Sequence, residues 1–155
     1  MGNNFQELVE LFTKKKLTLS SVESMTCGGF ASMVASIPGA SKIFMGAMAT
    51  YSKDVKIKLG VKKETIDKYD VVSKEVALEM ADKGKEYFQT DYCISITGNA
   101  GPSKEIGKAD VGEAYIAIAN KEKTIVKKLK LDGERNQIRS KAVEEMAKSL
   151  LEICK

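Results

Sequence analysis

Apolar positions along this chain alternate between a helical spacing and short dense runs, which predicts helices and strands in succession. Phe5, Leu8, Val9, Leu11 and Phe12 keep the helical spacing behind a cap at Asn3 or Asn4, and the stripe gives way to Lys14-Lys15-Lys16, charges that suit a helix C-terminus. A strand over residues 17–23 follows, then a helix from about Cys27 to Ser36 carrying Phe30, Met33, Val34 and Ile37, halted by Pro38-Gly39. Lys42 to Tyr51 is apolar and small throughout, the content of a strand covered on both faces, and it delivers Thr50, Tyr51 and Ser52 at its end. Ser52 caps a short helix running to Lys58, Glu64 to Lys68 adds a helical turn, and Ser73 opens a longer helix with Val76, Met80, Gly84 and Tyr87 as its inward stripe.

Residues 91–97 read as a central strand with Cys93 in the core. The periodicity then stops from Gly98 to Asp110, a glycine-rich stretch with the length of a functional loop. Val111 to Asn120 and Thr124 to Leu131 pair as an antiparallel hairpin. A helix from Glu134 to about Ile153 closes the chain with Ile138, Val143, Met146, Leu150 and Leu151 facing inward. This order predicts one α/β domain over residues 1–155, with three α/β/α layers around a mixed, mostly parallel sheet and an antiparallel hairpin near the C-terminus.

Composition narrows the function classes. At 155 residues and 43% hydrophobic, the chain is long enough to bury a core without metal or disulfide staples. The net charge of +4 suits an anionic small ligand and is too weak for a nucleic-acid footprint, and the scattered Tyr and Phe offer no base-stacking ladder. Cys27, Cys93 and Cys154 lie far apart without a C-x-x-C spacing, which points to the cytoplasm. No apolar run approaches the ~20 residues of a membrane helix, so no membrane partner is expected. Histidine is absent altogether, which excludes Ser-His-Asp, Cys-His and His-zinc sites within one chain and leaves Lys, Asp, Glu, Tyr or a terminal amine as general base.

The stretch Leu17 to Phe30 is where chemistry is expected. It runs from a strand through Ser24, Thr26 and Gly28-Gly29 into a helix, and the unpaired N–H groups of a helix start attract phosphate or a developing oxyanion. Ser24 or Thr26 would cap that helix.

Several segments together resemble the CinA C-terminal domain family, whose characterised members are nicotinamide-nucleotide amidohydrolases. Glu23-Ser24-Met25-Thr26-Cys27-Gly28 is similar to the family turn Glu-Ser-Cys-Thr-Gly-Gly, and Pro38-Gly39-Ala40-Ser41 follows unchanged. Thr50-Tyr51-Ser52-Lys53-Asp54-Val55-Lys56 resembles Thr-Tyr-Ser-Asn-Glu-x-Lys, Thr97-Gly98-Asn99-Ala100-Gly101-Pro102 matches Thr-Gly-x-Ala-Gly-Pro, and Gly133 to Arg139 carries Gly-x-Arg-x-x-x-Arg. The resemblance implies a nicotinamide mononucleotide deamidase without cofactor or metal, assembled as a homo-oligomer. In it Ser24 attacks the carboxamide, Lys56 is the base, and Tyr51 positions or relays the proton. Thr26, Cys27 and Gly28 lie at the oxyanion, with Thr97, Gly98, Ala100 and Gly101 shaping the nucleotide site and Arg139 on phosphate or developing charge. Lys53 and Lys58 would supply the cations that lower the Lys56 pKa.

The chain departs from the family at Cys27, Met25, Glu113 and residues 103–110, all placed around the ligand. Two other readings stay open: a nucleotide-binding or assembly domain without turnover, and a cysteine enzyme using Cys27 at the helix start.

Overall fold

A computed structural model describes residues 4–104 and 107–155; the proposed cap at Asn3 and the loop positions Glu105 and Ile106 lie outside the described residues. Helix α1 (Asn4–Lys15) leads into strand β1 (Leu19–Glu23), helix α2 (Gly29–Ala35), a single 3-10 turn and strand β2 (Phe44–Ala49). Three helices follow, α3 (Lys53–Leu59), α4 (Lys63–Tyr69) and α5 (Lys74–Phe88). Strands β3 (Tyr92–Gly98), β4 (Glu113–Ala119) and β5 (Thr124–Lys130) and the long helix α6 (Arg135–Cys154) complete the chain.

The strands form one sheet in the order β2-β1-β3-β4-β5. β1 pairs in parallel with both β2 and β3, whereas β4 runs antiparallel between β3 and β5, so four of the five strands share one direction. Helices α1, α2 and α6 cover one face around a core of Phe5, Phe12, Phe30, Ile96, Met146 and Leu150, and α5 covers the other through Val76, Met80 and a tight seat at Gly84. A Cβ at Gly84 would lie 2.4 Å from Val22 and 2.6 Å from the Cys93 sulfur, so only glycine lets α5 approach β1 and β3 this closely. The predicted three-layer α/β architecture is the one observed.

Three expectations are corrected. β2 is an edge strand whose side chains alternate between half-buried and exposed: Phe88 of α5 packs on the face that carries Gly46, while Met45, Ala47 and Ala49 stand exposed. The α5 stripe advances in steps of four from Val76 through Met80 and Gly84 to Phe88, so Tyr87 points outward and is 65% exposed. In α2, Phe30 and Val34 face inward while Met33, off that stripe, is exposed. The hydroxyl caps at Ser52 and Ser73 are as expected, each accepting from the amide three residues on.

Candidate active site

β1 ends at Glu23, a fully buried carboxylate that organises the turn after it. One oxygen accepts from the Thr26 hydroxyl at 2.7 Å, the Phe30 amide at 3.0 Å and the Gly28 amide at 3.2 Å. The other accepts from the Ser21 hydroxyl at 2.9 Å and the Ala31 amide at 3.1 Å. The start of α2 is therefore an anion site already filled by the chain's own carboxylate. Neither Ser24 nor Thr26 caps the helix, and the Gly28 N–H is not available to an oxyanion. The residue that does this work went unassigned in the sequence; its one signal is a lone acid ending a strand just before a glycine pair.

With the helix start taken, Ser24 is free to face the other side of the turn. Lys56 comes from α3 with its side chain buried, 2% exposed, and its Nζ donates to Ser24 Oγ at 2.9 Å and to the Thr50 carbonyl at 2.8 Å. Burial lowers the Lys56 pKa from 10.5 to about 8. Desolvation is the cause, and the neighbouring cations Lys53 and Lys58 are not needed for it. The α3 cap at Ser52 and the Thr50 amide bond to the Glu23 carbonyl at 2.9 Å set this geometry, starting α3 beside the residue that follows β1.

Ser24 and Lys56 open into a cavity of about 450 Å³, in the range of small-molecule sites. Its wall includes Tyr51, Lys53, Val72, Thr97, Gly98 and Ala100. Among its described lining residues are Lys53, Lys56 and Arg135 but no carboxylate, so the cavity favours an anion. A larger cavity of about 570 Å³ beyond Val72 is lined by Asp67, Asp70, Glu75 and Glu113 together with Lys68, Lys74 and Lys108, and contains neither Ser24 nor Lys56.

The structure brings Ser24, Lys56, Tyr51, Thr97, Gly98 and Ala100 together and leaves other predicted positions outside the cavity. Tyr51 sits at the rim, 53% exposed, its phenol oxygen accepting from Arg135 Nη2 at 3.1 Å. Thr97 is buried and spends its hydroxyl on the Val71 carbonyl at 2.8 Å. Gly98 admits Met25: a Cβ there would lie 2.4 Å from the Met25 sulfur. Gly101 takes part through its carbonyl, which accepts from Arg135 Nη1. Arg135, the first residue of α6, thus ties the end of β2 to the loop after β3. That loop is shaped by buried Asn99, whose side chain holds Ser103, Ala109 and Gly101. Asn99 filled only an unspecified place in the motif.

Thr26, Cys27, Gly28 and Arg139 do not line this cavity. Cys27 is exposed, with a backbone φ of +46°, the left-handed region that glycine occupies more readily. Arg139 lies behind the turn, donating from Nε to the Met25 carbonyl and from Nη2 to the Thr26 carbonyl, both at 3.0 Å. With Thr26 it lines a separate cavity of about 400 Å³. A trans peptide points its N–H opposite to its C=O, so this grip turns the Thr26 amide away from α6. Among the described residues the amides of Met25 and Thr26 meet no protein acceptor, whereas the Cys27 amide donates to Ser24 O at 3.0 Å. The turn thus leaves two amides next to the serine without a protein acceptor, and Arg139 holds the peptide that carries the Thr26 amide.

Comparison with known proteins places the arrangement. Residues 3–154 match the CinA C-terminal domain. A CinA-like protein of Kosmotoga olearia is 45% identical over 136 residues, covering 87% of this chain and 33% of that protein. Another, from Flavobacterium psychrophilum, is 39% identical over 139 residues, covering 89% and 33%. The chain spans about a third of the length of these relatives. The crystal structure of a CinA superfamily protein from Escherichia coli superposes with a TM-score of 0.93 at 27% identity, covering 97% of this chain and 88% of that one. That of a competence/damage inducible protein from Agrobacterium tumefaciens gives 0.92 at 26%, covering 100% and 98%.

Proposed function

This chain belongs to the CinA C-terminal domain family, and from that premise and the Ser24–Lys56 contact we propose that it is a Ser/Lys amidohydrolase that deamidates nicotinamide mononucleotide. The observation that carries the reading is the buried lysine within 2.9 Å of a serine hydroxyl, in a chain without histidine. A lysine with a pKa of about 8 is neutral in roughly one molecule in ten at pH 7, and that neutral amine accepts the serine proton.

Ser24 Oγ adds to the carboxamide carbon as Lys56 takes its proton, and the oxyanion forms against the amide of Met25, which lines the cavity. Lys56 then returns the proton to the departing nitrogen, ammonia leaves, and an acyl-serine remains. Water, deprotonated by Lys56, releases the carboxylate product and restores the serine. Arg135 and Lys53 at the cavity wall answer the phosphate of the nucleotide. The three free cysteines accord with work in the reducing cytoplasm.

The test is ammonia release from nicotinamide mononucleotide. Wild type turns over, and Ser24→Ala and Lys56→Ala each lose at least about 1,000-fold in kcat while keeping the fold. Undiminished turnover in Ser24→Ala would refute the mechanism, and tight nucleotide binding without turnover by the wild type would favour the silent-domain reading.

A further inference from the structure

Among the described residues two buried side-chain hydroxyls have no hydrogen-bond partner: Ser149, on α6 against the hairpin strands, and Thr50. A buried polar group left unpaired costs stability, so each asks for a reason. Thr50 stands next to the chemistry. The β1–β2 pairing sets Ala49 beside Glu23 and runs one step further through the Thr50 amide bond to the Glu23 carbonyl, which puts Thr50 beside Ser24. Side chains alternate along a strand, and Gly46 of β2 and Val22 of β1 both face α5, so Thr50 and Ser24 point to that same face. Thr50 is wholly buried, and its carbonyl already accepts from Lys56 Nζ at 2.8 Å.

We propose that Thr50 is a positioning residue that anchors Lys56 twice, through its carbonyl and through its hydroxyl, leaving one direction for the proton that Lys56 exchanges with Ser24 and the departing nitrogen. Donor counting supports this. A charged lysine has three N–H groups, and Ser24 Oγ and the Thr50 carbonyl take two of them. In the neutral amine the lone pair faces the serine proton, and again one N–H remains beyond the carbonyl. The hydroxyl of the residue that already holds Nζ is the unused acceptor beside it, and a small shift of the lysine end closes the contact. That bond is stronger to the ammonium than to the amine, so it favours the charged form that follows attack by Ser24. The charged groups around Lys56 cannot take its place. Lys53 of α3 and Arg135 of α6 share its cavity and repel an ammonium, and the Tyr51 phenol oxygen accepts from Arg135. Glu23 of β1 spends both oxygens on the α2 turn, and Asp67 of α4 pairs with Lys53 and Lys63. From α5, Glu79 holds the Lys62 amide and the Thr65 hydroxyl, and Lys83 lies against Gly60. β3 presents the uncharged Thr97, whose hydroxyl donates to Val71.

The direction of proton transfer rests on the amidohydrolase reading, whereas the double anchor is measurable without substrate. The experiment is a carbon-13 NMR titration of the full chain labelled at lysine, with the Lys56 signal identified by its loss in Lys56→Met. Wild type should titrate near 8. Thr50→Val keeps the shape and branching of the side chain and removes the acceptor, so it should weaken proton binding about 10-fold and move the midpoint towards about 7, and Thr50→Ser should restore it. In ammonia release from nicotinamide mononucleotide, Thr50→Val should lower the kcat plateau about 10-fold with KM nearly unchanged and start that plateau at lower pH, again restored by serine. A midpoint that stays or rises in Thr50→Val, or a loss that serine does not restore, overturns the proposal. A midpoint that falls as expected in a protein that releases no ammonia upholds the anchor and rejects the deamidase reading alone.

Discussion

Lys56 gives the sharpest quantitative handle, because its burial ties stability to pH through one residue. Its pKa falls from 10.5 to about 8 on folding, so between these values the unfolded chain binds a proton that the folded chain does not. Stability must therefore rise with pH across that window. At about 1.4 kcal/mol per tenfold, the cost of keeping Lys56 charged is about 3 kcal/mol near pH 7, and most of it, about 2–3 kcal/mol, is relieved by pH 10. Other groups titrate there as well. Burial raises Tyr92, Tyr115 and Cys93, the last to about 12, and each costs stability at high pH. Comparing wild type with Lys56→Met removes those common contributions. It also removes the pH-independent loss of the bonds to Ser24 and the Thr50 carbonyl. The assay is urea denaturation of both proteins at pH 7, 8, 9 and 10. Wild type should gain about 2–3 kcal/mol on the variant from pH 7 to pH 10, with nearly all of the relief falling above pH 8. Parallel curves would mean that Lys56 titrates as an ordinary surface lysine, and the argument for a neutral base would fall with them.

The same group sets the rate: kcat for nucleotide deamidation should rise with pH and level off above an apparent pKa near 8, as expected for a neutral amine base, and a flat profile from pH 6 to 9 would exclude it. Glu23→Gln replaces an acceptor of five bonds by a group that can accept at only one atom, and thermal or urea melting should show a loss of about 2–4 kcal/mol. Arg139→Ala should lower kcat at least about 10-fold with KM nearly unchanged, since it frees the Met25 carbonyl and the amide beyond it; added guanidinium, entering the cavity Arg139 vacates, should restore part of that kcat. A matching rise in KM without loss of kcat would instead put Arg139 on the substrate. Cys27→Gly relieves a left-handed residue and should leave kcat unchanged while altering stability by no more than about 1 kcal/mol; lost turnover would revive the cysteine reading.

The residues that sequence could and could not resolve divide on physical grounds. Element order was legible because helix and strand periods differ and because Ser52 and Ser73 cap in the ordinary way. Ser24 and Lys56 were legible through their motifs, but nothing local marks which of several lysines in α3 and α4 is buried; that depends on the Thr50 carbonyl and the packing of α3 against α5. Arg135 and Arg139 stand one turn apart on α6, and the resemblance put only Arg139 at the ligand, whereas it is Arg135 that lines the cavity. In space the turn at Met25 and Thr26 separates them, so one reaches the cavity rim and the other grips the turn from behind.

β2 is the most instructive misreading. Its pattern matched a strand covered on both faces, because Met45, Ala47 and Ala49 carry none of the polarity that water imposes on an outward side. In the folded chain those three are exposed, so burial within one copy does not account for their composition. Exposed alanine and methionine are ordinary on a protein surface, so the lack of polar residues along β2 does not report cover on both faces.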